Sequence, residues 1–125
     1  DNYERAYKAI QQAIKLQENA TDKEKALIQA LAKRYVAKPV EDRSQLDIAY
    51  SNAMKEVNNK FPDDVDINAL YAESVMDLHP WDLYEKNGTP KKWTPEIVAL
   101  LEKILQKNPT YRYRQYQDHS RVLSV

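Results

Sequence analysis

The side chains that could do chemistry are easily surveyed, because several kinds are missing. The chain contains no cysteine, one glycine and two histidines, His79 and His119. A thiolate nucleophile, a thiolate metal cage and a glycine-rich phosphate loop are therefore excluded. Neither histidine sits in a His-x-x-x-His or Glu-x-x-His arrangement, so the spacing predicts no metal site. No serine lies in a Gly-x-Ser-x-Gly turn, and no pair of the abundant carboxylates is set apart for acid–base work. The expectation is a protein that is not an enzyme and takes no cofactor.

One segment does stand out. Residues 111–121 read Tyr-Arg-Tyr-Arg-Gln-Tyr-Gln-Asp-His-Ser-Arg, interleaving tyrosine with arginine. Tyr and Arg dominate binding hot spots, and a tyrosine ring gives large contact area at low entropy cost. Tyr111, Arg112, Tyr113, Arg114, Tyr116, His119, Ser120 and Arg121 are the candidate partner-binding residues of this tail. Three arginines against Asp118 favour an acidic surface or a carboxylate-lined cleft, such as an enzyme active site. The bland reading is a terminal helix left polar because nothing stacks on it.

Charge narrows the partner class. Lys plus Arg and Asp plus Glu each total 19, whereas a nucleic-acid binder needs a basic excess. Residues 61–85 carry seven acidic and no basic side chains, and residues 86–125 carry eight basic and three acidic ones; such runs are usually solvated faces. No apolar run approaches the roughly 20 residues that cross a bilayer. The opening Asp1-Asn2-Tyr3-Glu4-Arg5 reads as a processed end without a signal segment. These features predict a soluble monomer and leave its compartment open.

The elements that position these residues follow from period and punctuation. Ala6, Ala9, Ile10, Ala13, Ile14 and Leu16 form a helical stripe over 2–18. Thr21-Asp22-Lys23-Glu24 reads as a capping box for a helix reaching Ala37 through Leu27, Ile28, Leu31, Ala32 and Tyr35, stopped by Pro39. Ser44 caps a third helix that faces Leu46, Ala49, Tyr50, Ala53, Met54 and Val57 inward. Phe61-Pro62-Asp63-Asp64 breaks the chain and opens a fourth helix on Ile67, Leu70, Tyr71, Val75 and Leu78. Thr94-Pro95-Glu96 predicts an N-cap threonine with proline at the first helical position; Ile97, Leu100, Leu101, Ile104 and Leu105 follow. Asn108-Pro109 ends this fifth helix and starts a sixth, over 110–125. No stretch alternates as a strand does, so the fold class is all-α, with about six antiparallel helices stacked in pairs.

The helices also repeat one another. Leu31-Ala32 with Tyr35 is echoed by Tyr71-Ala72 with Val75. Tyr50, Met54 and Val57 before Pro62 are echoed by Ile97, Leu101 and Ile104 before Pro109. The small residue of the first pattern permits close helix approach, while the larger ones fill the next interface. This pattern resembles the tetratricopeptide repeat (TPR) family, with Ala32 and Ala72 where the family carries glycine. The stretch Ala49 to Pro109, including Met76-Asp77-Leu78-His79-Pro80-Trp81-Asp82-Leu83, is similar to a group of bacterial members of that family.

The resemblance implies a single domain, 1–125. Residues 2–18 would be a truncated repeat helix, 22–61 a repeat, 65–109 a repeat with a 79–94 insertion, and 110–125 a terminal helix. It also implies a scaffold that binds proteins in a concave groove, here Gln29, Lys33 and Val36 followed by Asp66, Ala69, Glu73 and Met76; Lys33 and Glu73 join the tail as candidate binding residues. The likeness stops at Tyr111, where related chains continue with His, Pro, Gly and Asn, so the tail reads either as a natural cap or as a binding surface engineered onto a repeat scaffold, a binder or inhibitor. The alternative function is an assembly module of a larger chain. Within the insertion, Trp81 and Trp93 are expected to fold back on the core, and Asn87-Gly88 to form a turn. Asn19-Ala20-Thr21 and Asn87-Gly88-Thr89 match a glycosylation sequon, a pattern frequent by chance.

Overall fold

In the computed structural model, which describes residues 2–80 and 82–107, the protein is all-helical. The helices are α1 (Asn2–Leu16), α2 (Asp22–Ala32), α3 (Ser44–Lys60), α4 (Val65–Leu78) and α5 (Thr94–Lys107), with a 3-10 turn at Gln17–Asn19. The sixth helix expected at 110–125 lies outside the described residues, as does Trp81. The chain divides into two compact units, Asp1–Pro62 and Asp63–Val125, so the boundary falls at the Phe61-Pro62-Asp63 break.

In the first unit α1 packs on α2 and α2 on α3. The expected N-cap is present: the Thr21 hydroxyl accepts from Glu24 N–H at 3.1 Å, and Glu24 reaches back to accept from that hydroxyl at 2.9 Å. α2 is shorter than its periodicity suggests. It closes at Ala32 because Lys33 and Arg34 N–H turn back to the carbonyls of Ala30 and Leu31 at 3.1 and 3.0 Å, the tighter spacing that ends many helices. The Arg34 carbonyl then accepts from the Arg43 guanidinium at 2.9 Å, which clasps the loop leading to α3. Tyr35 and Val36 therefore lie beyond the helix end.

At α3 the expected serine cap is replaced. Ser44 is the first helical residue, and its N–H donates to the Asp42 carboxylate at 2.9 Å. That bond holds the Asp42 carboxyl below its ordinary 3.8. Along α3, Tyr50, Met54 and Val57 are buried as the stripe requires, while Leu46, Ala49 and Ala53 are half-buried. The α1 stripe is thinner than expected: Ile10 is buried, Ala6, Ala13 and Ile14 are half-buried, Ala9 is exposed and Leu16 is 64% exposed. Arginines stitch the edge of this unit, Arg43 over the Tyr3 ring at 5.2 Å and Arg34 over Tyr50 at 5.1 Å.

In the second unit α4 packs on α5. The Asp64 side chain accepts from Ile67 N–H at 3.1 Å and caps α4. α4 is buried around most of its circumference, at Ile67, Asn68, Ala69, Tyr71, Ala72, Ser74, Val75 and Met76. The Ser74 hydroxyl is satisfied by donating to the Tyr71 carbonyl at 2.6 Å. Ile97, Leu100, Leu101 and Ile104 of α5 are buried as expected. Polar links also join this unit. The Tyr71 hydroxyl donates to Glu96 at 3.0 Å, and burial, followed by that carboxylate, pushes the phenol up to about 12. Asp63, just before α4, meets Lys103 at 3.3 Å and Lys107 at 3.4 Å.

Candidate functional site

A cleft lies between α2 and α3, about 260 Å³ in volume. α2 contributes Ala26, Gln29, Ala30 and Lys33, and α3 contributes Ala53, Glu56, Val57 and Lys60. Each set has the spacing i, i+3, i+4, i+7, which puts four side chains on one helix face. The chemistry is divided in the same way on both helices. Ala26, Ala30, Ala53 and Val57 are small and apolar and leave an open floor, while Gln29, Lys33, Glu56 and Lys60 supply polar rims exposed to solvent.

Neighbouring contacts fix part of the rim. Gln29 Nε2 donates to Gln17 Oε1 at 2.9 Å, which ties one wall to the 3-10 turn. The Lys60 ammonium lies 5.7 Å from the Phe61 ring centre, a cation–π distance that holds the charge near the mouth. The cleft can thus receive an apolar side chain on its floor and carboxylates at Lys33 and Lys60.

The loop between α4 and α5 is a second organised feature, closed on itself. Trp93 stacks on His79 with ring centres 3.8 Å apart and planes 8° from parallel. Its Nε1–H donates to the Asp82 carbonyl at 2.8 Å. Burial, more than any neighbouring charge, holds the His79 imidazole below its ordinary 6.5. Lys91 bridges Asp82 at 3.1 Å and Glu85 at 3.4 Å, and the Asp82 carboxylate leads the causes that raise the lysine. At the tip Glu85 N–H donates to the Thr89 carbonyl at 2.8 Å and Gly88 N–H to the Glu85 carbonyl at 2.9 Å, with Gly88 at φ 89°. The wholly buried Thr94 hydroxyl donates to the Leu83 carbonyl and so pins the loop to α5.

The residues expected from sequence distribute as follows. Tyr111, Arg112, Tyr113, Arg114, Tyr116, His119, Ser120 and Arg121 lie outside the described residues. Lys33 and Gln29 line the α2–α3 cleft. Val36 does not, because α2 has already ended. Glu73 is half-buried and Asp66 exposed on α4, in the other unit. Ala69 and Met76 are buried on α4. The α3 wall was missed by the sequence reading, although the repeated i, i+3, i+4, i+7 spacing with small residues was a visible signal. Among the described residues no group of three His, Asp or Glu side chains could hold a metal ion, and no helix is long and apolar enough to cross a membrane. Comparisons with protein-family models, curated proteins and solved structures gave no match.

Proposed function

We propose that this chain is a non-catalytic, TPR-like scaffold that binds a protein partner presenting an acidic surface. The α2–α3 cleft and the Tyr/Arg tail would each contribute contacts to that partner. The observation that carries this reading is the cleft itself: a small-residue floor flanked by Lys33 and Lys60. Its volume of about 260 Å³ falls below the roughly 300–1,000 Å³ of small-molecule pockets. It suits one or two side chains of a partner segment better than a metabolite. Glu56 on the same rim requires the complementary segment to be mixed in charge rather than uniformly acidic, which favours selectivity.

The test begins with capture of partners by the chain with and without residues 111–125. The partner lost on deletion is then titrated against point variants. Truncating a hot-spot residue typically costs ~2 kcal/mol or more, and that loss is expected for Tyr113→Ala, Arg114→Ala and Tyr116→Ala at unchanged melting temperature. Lys33→Glu and Ala30→Leu, which reverses a rim charge and fills the floor, should weaken the same complex. Unchanged affinity across all five variants overturns the proposal.

A second reading has its own support. Leu16 and Ile48 are 64% and 41% exposed, and Leu27, Ile28 and Leu31 of α2 are only half-buried. Partly uncovered apolar faces suit an assembly module that packs against further helices. Light scattering would reveal concentration-dependent self-association, abolished by Leu16→Gln with Ile48→Gln.

A further inference from the structure

We infer that Asn87 is a chemical modification site, where the native protein converts asparagine to aspartyl and isoaspartyl residues by intramolecular imide formation. The inference is independent of the proposed binding function. Asn87 is exposed at the tip of the α4–α5 loop and precedes the chain's single glycine. Conversion requires the backbone nitrogen of Gly88 to reach Cγ of Asn87. At Gly88 no β-carbon crowds that approach, and the space one would occupy is empty to 4 Å. The electrophile is also prepared: Thr89 N–H donates to Asn87 Oδ1 at 3.0 Å. A donor aimed at this oxygen stabilises the negative charge that develops on it as the nitrogen adds.

The step balances without any group beyond water. The Gly88 nitrogen gives up its proton and bonds to Cγ, and the Cγ–Nδ2 bond breaks to release ammonia, leaving a cyclic imide. Water then opens either imide carbonyl. Cleavage on the Cγ side yields aspartate; cleavage on the main-chain side yields isoaspartate, with an extra carbon in the backbone.

The other asparagines are poorly placed. Asn52, Asn58, Asn59 and Asn68 lie within helices, where the following amide is held in a helical hydrogen bond. Asn2 precedes Tyr3, and Asn108 precedes Pro109, whose nitrogen has no proton to lose. Asn19 precedes Ala20, which carries a β-carbon and whose N–H is bonded to the Gln17 carbonyl at 2.9 Å. Gly88 N–H is also held, by the Glu85 carbonyl at 2.9 Å, so the turn must open before reaction and the fraction of open turn scales the rate.

The product alters the loop. The imide removes the hydrogen that Gly88 gives Glu85, and the isoaspartyl backbone puts the Glu85–Thr89 bond out of register. A new carboxylate also appears in a loop where Asp82 and Glu85 already share Lys91.

The experiment is incubation of the full chain in mildly alkaline buffer, native and in urea, followed by peptide mapping and isoaspartyl methyl labelling. The mass gain of amide-to-acid conversion should appear first in the peptide bearing residue 87, with isoaspartate prevailing. It should be lost in Asn87→Gln, slowed several-fold in Gly88→Ala, and accelerated in urea. Earlier conversion at another asparagine overturns the inference. So does conversion at Asn87 confined to the unfolded chain, or an unchanged rate in a Gly88→Ala protein whose circular dichroism matches the parent.

Discussion

Thr94 illustrates how one atom serves the fold differently from its residue type's usual role. Threonine before Pro95-Glu96 is a strong helix-start signal, and α5 does begin there. Its hydroxyl, however, donates to the Leu83 carbonyl, eleven positions earlier in the chain. No spacing rule reaches that far, because the partner is chosen by how the intervening loop folds. Thr94→Val keeps the shape and removes the donor, while the Leu83 carbonyl keeps the Lys91 N–H that it also accepts at 2.9 Å. The expected cost is therefore that of one ordinary hydrogen bond, ~0.5–1.5 kcal/mol, measured by urea unfolding. Asp63 makes an electrostatic prediction at the same scale. Its hydrogen bond with Lys103, then the charge of Lys107, hold the carboxyl below its ordinary 3.8. A carboxyl lowered by folding contributes stability above its unfolded value, and that contribution is lost as pH falls through the lower folded value. In Lys103→Ala with Lys107→Ala, NMR titration of Asp63 should return to the ordinary value. Asp63 is exposed, so the effect should shrink with added salt.

At the scale of the element, helix starts were the most legible part of the sequence. Thr21 and Asp64 each accept from the third amide of their helices, an interaction between neighbours in sequence. Thr21→Ala and Asp64→Ala should each lower stability by ~0.5–2 kcal/mol, measured by thermal or denaturant unfolding. The end of α2 was less legible. The apolar period runs on through Tyr35, yet the helix closes at Ala32 and Arg43 returns to bond the Arg34 carbonyl. That bond depends on a side chain nine residues away, beyond the reach of a periodicity. The same limit explains the cleft. Resemblance to a repeat family pointed to Gln29 and Lys33 on α2, but Ala53, Glu56, Val57 and Lys60 became part of the site only when α3 packed beside it.

Across the whole molecule, burial is uneven. α4 is enclosed at eight of its residues, including the polar Asn68 and Ser74, whereas α2 fully buries Ala30 alone. A single apolar stripe was legible for both helices. Enclosure of the remaining faces of α4 depends on tertiary packing, which one helix's pattern does not encode. Local stability should follow burial. Hydrogen exchange should therefore be slowest at amides within Ile67–Met76 and markedly faster in α2 and the loop to α3.

The ring stack at His79 and Trp93 gives the protein a built-in optical gauge. An imidazole in face contact with an indole quenches its emission more strongly once protonated, so loop fluorescence should report the charge state of His79. Burial favours the neutral ring in the folded chain. The signal should be bright and level above pH 6.5 and dim on acidification, with its midpoint below 6.5. Over that interval the unfolded chain takes up the proton first, so stability declines as the pH drops. His79→Phe should abolish the acid dimming and retain the stacked geometry, letting a fluorimeter follow the α4–α5 junction without an attached dye.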